Sequence, residues 1–194
     1  MTGATSFQDL RLTVTRAPLD ANALRLAAVL EEDLRAGRPD LRITGSDYAD
    51  GVVAIRHAVD PGINPYDRYG ATLQLEDRAG AGTLMFQALP GRPLTPLWSP
   101  NTALARRWLV SCEQYRGVLS RDGRQCSDND GPDGQRIVVV TELLVDGLVR
   151  HQAFVGWPDA QVSVAVWNSE ASVAAPLTPT QLVALASDPR LAPR

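Results

Sequence analysis

The chain has no lysine: all 19 of its basic residues are arginine. That excludes a Schiff-base lysine, a Ser–Lys dyad and the phosphate-gripping lysine of a Walker loop, and with them pyridoxal-phosphate chemistry and Walker-type nucleotide hydrolysis. Histidine is nearly as scarce. His57 and His151 are the two in the chain, so any imidazole acid–base or triad mechanism must use one of them. A Gly-x-Ser-x-Gly elbow that would present a nucleophilic serine is absent. No run of about 18 apolar residues occurs, so no membrane span is expected. Residues 1–17 carry Asp9, Arg11 and Arg16 and lack the apolar centre of a secretory signal. An excess of positive charge is missing too: the net charge is −3, which gives no footprint for nucleic acid.

Cysteine is limited to Cys112 and Cys126. They form no Cys-x-x-Cys or Cys/His cluster, so no zinc site is expected. A turn near Arg121-Asp122-Gly123 could bring them together, and a bridge over so short a loop would stabilise by about 3 kcal/mol on the chain-entropy model. Two free thiols in a reducing compartment fit the residues equally well. Cys112 as a nucleophile lacks an assignable base.

What is present is an ordinary globular composition. Hydrophobic residues are 44% of the 194, enough for a sizeable core. Residues 20–36 read as a helix. Asp20 is its N-cap, Ala23, Leu26, Ala27, Leu30 and Leu34 form one stripe, and Gly37 and Pro39 stop it. Leu19 and Leu24 could close its start as a hydrophobic staple. Strand patterns follow at 41–45, 51–59, 71–76 and 82–88, the last two a hairpin whose loop exceeds two residues. The proline-rich stretch 90–100 is either a linker or an ordered crossover. Asn101 could cap a short helix bearing Leu104 and Trp108, and 116–120 is strand-like. After the turn chemistry of 127–134 comes a meander at 136–142, 148–155 and 161–167. Thr178, Pro179 and Gln181 then spell a capping box for a closing helix, with Leu177 and Leu182 as its staple and Pro189 as its stop. The expected fold class is α+β: an antiparallel meander covered by an N-terminal and a C-terminal helix, with residues 1–194 as one domain.

Candidate chemistry is thin. His57 shares a strand face with Val53, Ile55 and Val59, and His151 one with Val149, Ala153 and Val155, positions that ordinarily serve packing. Asp128, Asp130 and Asp133 sit in an acidic turn. As a calcium loop starting at Asp128, it would place Asp133 at the sixth position, where glycine is required, and Val139 at the twelfth, where glutamate is required. Gly80-Ala81-Gly82 opens a strand, not the helix of a dinucleotide fingerprint. Trp167 falls opposite the Val162, Val164 and Val166 face and could mark a second packed layer or a binding patch; Trp98, Trp108 and Trp157 complete the tryptophans. No cofactor, metal site or catalytic set emerges.

The run GQRIVVVTELLVDGLVRHQAFVGWPDAQVSVAVWNSE, closed by APLTPTQLVALASDPR, resembles the C-terminal part of a group of actinobacterial extracytoplasmic domains of unassigned function. These occur in lipoproteins and behind single transmembrane helices, sometimes in anti-sigma-factor-like proteins. GATLQLEDRAGAGTLMFQALPG bears a weaker likeness to the same group. The motifs are a meander, Asn168 after the last strand and the capped closing helix. The resemblance implies a bridge between Cys112 and Cys126, since exported chains form disulfides. It also implies an extracytoplasmic, secreted or membrane-anchored setting, against a cytoplasmic alternative. The function expected from it is non-enzymatic binding or sensing of a protein or small ligand at the cell envelope. A small hydrolase-like enzyme using His57 or His151, and a protein-interaction or assembly module, are the competing expectations.

Overall fold

The computed structural model describes residues 21–46, 53–59, 67–78, 80–90, 111–112, 124–144 and 147–193. Residues 90–110, with Trp98, Trp108 and most of the proline-rich stretch, lie largely outside that set, as do 113–123 and Asp20.

Helix α1 (Ala21–Gly37) forms where alanine and leucine dominate and β-branched residues are sparse. Ala23, Leu26, Ala27, Val29, Leu30 and Leu34 turn inward at helical spacing. The backbone N–H of Arg38 donates to the Leu34 carbonyl and closes the last turn before Pro39. Leu24, the expected staple residue, instead points to solvent at 52% exposure. Strand β1 (Arg42–Ser46) follows, then β2 (Arg56–Val59), β3 (Asp67–Asp77), β4 (Gly80–Pro90), β5 (Arg124–Asp130), β6 (Arg136–Leu143), β7 (Val149–Gly156) and β8 (Ala160–Asn168). Helix α2 (Pro179–Ala186) and a 3₁₀ turn (Pro189–Leu191) end the described chain.

All eight strands join one antiparallel sheet in the order β1-β3-β4-β8-β7-β6-β5, with β2 pairing the other half of the β3 edge. The fold is therefore α+β, a meander with an N-terminal and a C-terminal helix. The β3–β4 hairpin docks beside the last strand, with Gly82–Pro90 running antiparallel to Ala160–Asn168. Register sorts the side chains into two faces. One holds Ala71, Phe86, Val164 and Ala153, which follow one another across the pairs; these belong to the main core beneath α1 and α2. The other holds Met85, Ala165, Gln152, Val140 and Cys126 in the same manner.

Three expectations are corrected. The strand at 51–59 contracts to Arg56–Val59, while Val53 and Ile55 are buried in irregular chain ahead of it. The β3–β4 loop shrinks to two residues, because Asp77 and Gly80 still pair. Asp77 accepts the Gly80 N–H at 3.0 Å. Gly80 has φ +150°, and a side chain on it would collide with Ser172. A side chain on Gly82 would likewise strike the Trp167 carbonyl, so glycine lets the hairpin close against β8. Finally, the supposed turn from 127 is strand β5 up to Asp130, and turn chemistry is confined to the residues after it.

Among the described residues a second cluster, of Cys112, Val138, Val140 and Phe154 with Cys126 against it, lies on the opposite face near the β5 edge. The Cys112–Cys126 disulfide, with sulfurs 2.03 Å apart, anchors it.

Candidate functional site

Between the C-terminal half of α1 and helix α2 lies a cavity of about 260 Å³. Leu34, Leu177 and Leu185 supply its apolar lining, and Asp33, Arg38 and Asp188 its charged groups. Each element reaches this place for a local reason. The Leu30 and Leu34 stripe presses α1 onto the core, which leaves Asp33, at the border of that stripe, only 16% exposed. The Thr178 box starts α2: its hydroxyl accepts from the Gln181 N–H, and the Gln181 side chain takes the Thr178 N–H at 2.9 Å. Leu182, Leu185 and Ala186 then bury, bringing the Ser187-Asp188 stop beside α1.

Asp188 caps the 3₁₀ turn by accepting the Arg190 N–H at 2.7 Å. The Arg190 guanidinium binds Asp188 at 2.8 Å, Asp33 at 2.7 Å and Glu32 at 3.0 Å. Three carboxylates thus share one guanidinium. The second oxygen of Asp33, Oδ2, is buried and has no hydrogen-bond partner. Burial first, and then neighbouring Asp188, raises the Asp33 carboxyl to about 6, although Arg190 pulls the other way. Burial also acts upward on Asp188, but the hydrogen bonds from Arg190 outweigh it and hold that group below its ordinary range.

At the end of α1, Arg38 joins three elements. Its guanidinium donates to Asp40 at 3.0 Å, to Asp77 of the hairpin at 2.5 Å and to the Pro176 carbonyl at 2.5 Å. The Asp77 side chain is 5% exposed, so the arginine balances a buried carboxylate. Hydrogen bonds to Asp40 and Asp77 raise the affinity of Arg38 for its proton. A neutral anchor lies near the same loop. Buried Asn168 accepts the Val149 N–H at 2.7 Å and donates to the Ser172 carbonyl at 2.5 Å, while the Ser172 hydroxyl accepts from Ala81 N–H at 2.7 Å.

The residues singled out from sequence do not meet in this cavity. The His57 backbone pairs with Tyr69, and its side chain lies outside the described set. His151 sits across β7 and β6 from Thr141, whose hydroxyl lies 3.0 Å from Nδ1. Burial lowers the imidazole pKa. No carboxylate among the described residues hydrogen-bonds it. Asp128 and Asp130, read as turn residues, are strand residues paired with Arg136 at 2.7 and 3.0 Å; Asp128 also accepts the Cys112 N–H. Trp167 lies opposite the valine face, next in register to Arg150, which pairs with buried Glu142. Trp157 packs against the main core. Sequence reading passed over Asp33, Arg38 and Asp188. A usable signal was there for Asp33, a carboxylate adjacent to Leu34 in the apolar stripe.

Comparison with known protein families, with curated proteins and with solved structures found no match.

Proposed function

We propose that this chain is a non-enzymatic binding or sensing domain that works outside the cytoplasm, and that the α1–α2 cavity is where it takes its ligand. The observation that carries the setting is the Cys112–Cys126 bridge, a bond that persists in oxidising compartments. The resemblance of the meander and closing helix to actinobacterial envelope domains points the same way. The cavity supports binding: an apolar lining beside carboxylates suits a small ligand with an apolar body and a cationic or hydrogen-bond-donating head. Its about 260 Å³ is just below the roughly 300–1,000 Å³ of common ligand sites, so the ligand is small.

Two measurements test this reading. Thiol titration of natively expressed protein under denaturing conditions should reveal two thiols after reduction and none before it. Short-chain alkylamines should give saturable NMR shifts at Leu34, Ala184 and Leu185, whereas the matching carboxylic acids should not. Free thiols would remove the extracytoplasmic setting; equal, non-saturable responses to both compound series would remove the ligand site.

The Thr141–His151 contact gives the hydrolase reading its foothold, since a hydroxyl beside an imidazole is a nucleophile–base pair, here without a carboxylate to orient it among the described residues. Hydrolysis of an activated ester that disappears in His151→Gln but persists in Gln152→Ala would favour that reading over binding.

A further inference from the structure

We infer that Asp33 and Asp188 form a proton-dependent joint: a proton held between the two carboxyls fastens the C-terminal segment to α1, and its loss loosens that end. Asp33 and Asp188 also line the cavity proposed for the ligand, but the joint needs no ligand and is tested on the chain alone.

The geometry leaves Asp33 Oδ2 in need of a proton. Its other oxygen accepts from Arg190 Nη2, while Oδ2 is sealed from solvent and has no donor facing it. An ionised oxygen there is desolvated without compensation. A protonated one becomes a donor, and the acceptor at hand is Asp188, whose carboxylate shares the Arg190 Nη2 donor with Asp33. Charge counting agrees. Glu32 and Asp33 from α1 and Asp188 from the C-terminal segment surround the single guanidinium of Arg190. Other nearby cations are committed elsewhere: Arg38 to Asp40, Asp77 and Pro176, Arg35 to Glu31, and Arg25 to Asn22 and to the Arg190 and Ala192 carbonyls. Gln181, which lines the cavity from α2, carries no charge. Fully ionised, the cluster therefore holds two negative charges more than its arginine balances.

The mechanical consequence follows from what the cluster joins. Arg190 ties Asp188 to α1 across 157 residues of chain, and Arg25 grips the carbonyls on either side of Leu191. Repulsion between Asp33 and Asp188 acts directly on this seam. Because the folded-state value of Asp33, about 6, lies above its ordinary 3.8, the native state holds more protons than the unfolded chain between those values. The joint's stabilisation is present below pH of about 4, is lost as the pH rises to about 6, and changes little above that. Asp188 contributes with the opposite sign, and only where the pH falls below its own ordinary range.

The test is a ¹³C-carboxyl NMR titration of the full chain, with amide exchange at Leu191 and Ala192 followed alongside. Their N–H groups bond the Asp188 and Pro189 carbonyls. An Asp33 midpoint near 6 is expected, with protection at these amides falling several-fold between about pH 4 and 6 after correction for intrinsic exchange. In Asp33→Asn that pH response should vanish. An Asp33 midpoint near 4, or the same pH response in Asp33→Asn, would overturn the inference. If the variant does not fold, the titration of the unaltered chain decides alone.

Discussion

The two faces of the sheet carry cores of different construction. Under the helices, leucines of α1 and α2 meet valines and Phe86 of the central strands; Leu26, Leu30, Phe86, Val164 and Leu182 have no exposed surface. On the opposite face, near the β5 edge, Val138, Val140 and Phe154 form the smaller cluster among the described residues, together with the cysteines. The first is held by area, at about 25 cal/mol for each Å² of apolar surface buried. Among the described residues the second gathers Val138, Val140 and Phe154 around the cysteines, and there a covalent bond ties Cys112 to β5. A cross-link acts differently from buried area, because it restricts the unfolded chain.

Substitutions can break this comparison. Phe86→Ala strikes the area-based core, and a cavity among rigid neighbours should cost about 3–5 kcal/mol, read as a lower midpoint in chemical denaturation. Replacing both cysteines by serine should cost about 3 kcal/mol if the loop-entropy account holds. The loss should concentrate locally: amide exchange should accelerate in β5 and β6 and leave α1 protected. Equal acceleration everywhere would show that the two cores unfold as one unit. Arg38→Ala leaves Asp77 buried without its guanidinium and should cost about 2 kcal/mol, while Arg38→Lys should recover only part because it cannot fork between Asp40 and Asp77. Thr178→Ala removes the cap of α2 and should cost about 1 kcal/mol.

The smallest effect concerns pH and sharpens the distinction between the Asp33 joint and the sheet. Burial lowers the His151 pKa, so the unfolded chain takes up a proton before the native state does. Its contribution is complete above the unfolded value near 6.5 and is lost as the pH falls below it. Asp33 slopes the other way at lower pH. His151→Gln should therefore flatten only the stability change just below pH 6.5, and Asp33→Asn only the change between about 4 and 6, as followed by thermal melting across buffers.

Local patterns in the chain were sufficient for much of this molecule. The Thr178–Gln181 box, the α1 leucine stripe and the strands of the final meander all rest on contacts within a few residues or on a period of two or 3.6. Strand β5 escaped, because Ser127, Asp128, Asn129 and Asp130 have turn composition; Arg136 on the next strand makes an extended acidic edge tolerable. The short β3–β4 turn escaped because Asp77, Gly80 and Ala81 have loop composition, whereas the lack of a side chain at Gly80 admits Ser172 and at Gly82 the β8 backbone. What tertiary structure alone decided was who meets whom across the chain: β4 beside β8, Arg38 with Asp77 and Pro176, Asp33 with Asp188 and Arg190. Those meetings set burial, and burial sets the chemistry. An aspartate in a helix reads as an ordinary acid until packing removes its water and places a second carboxylate beside it.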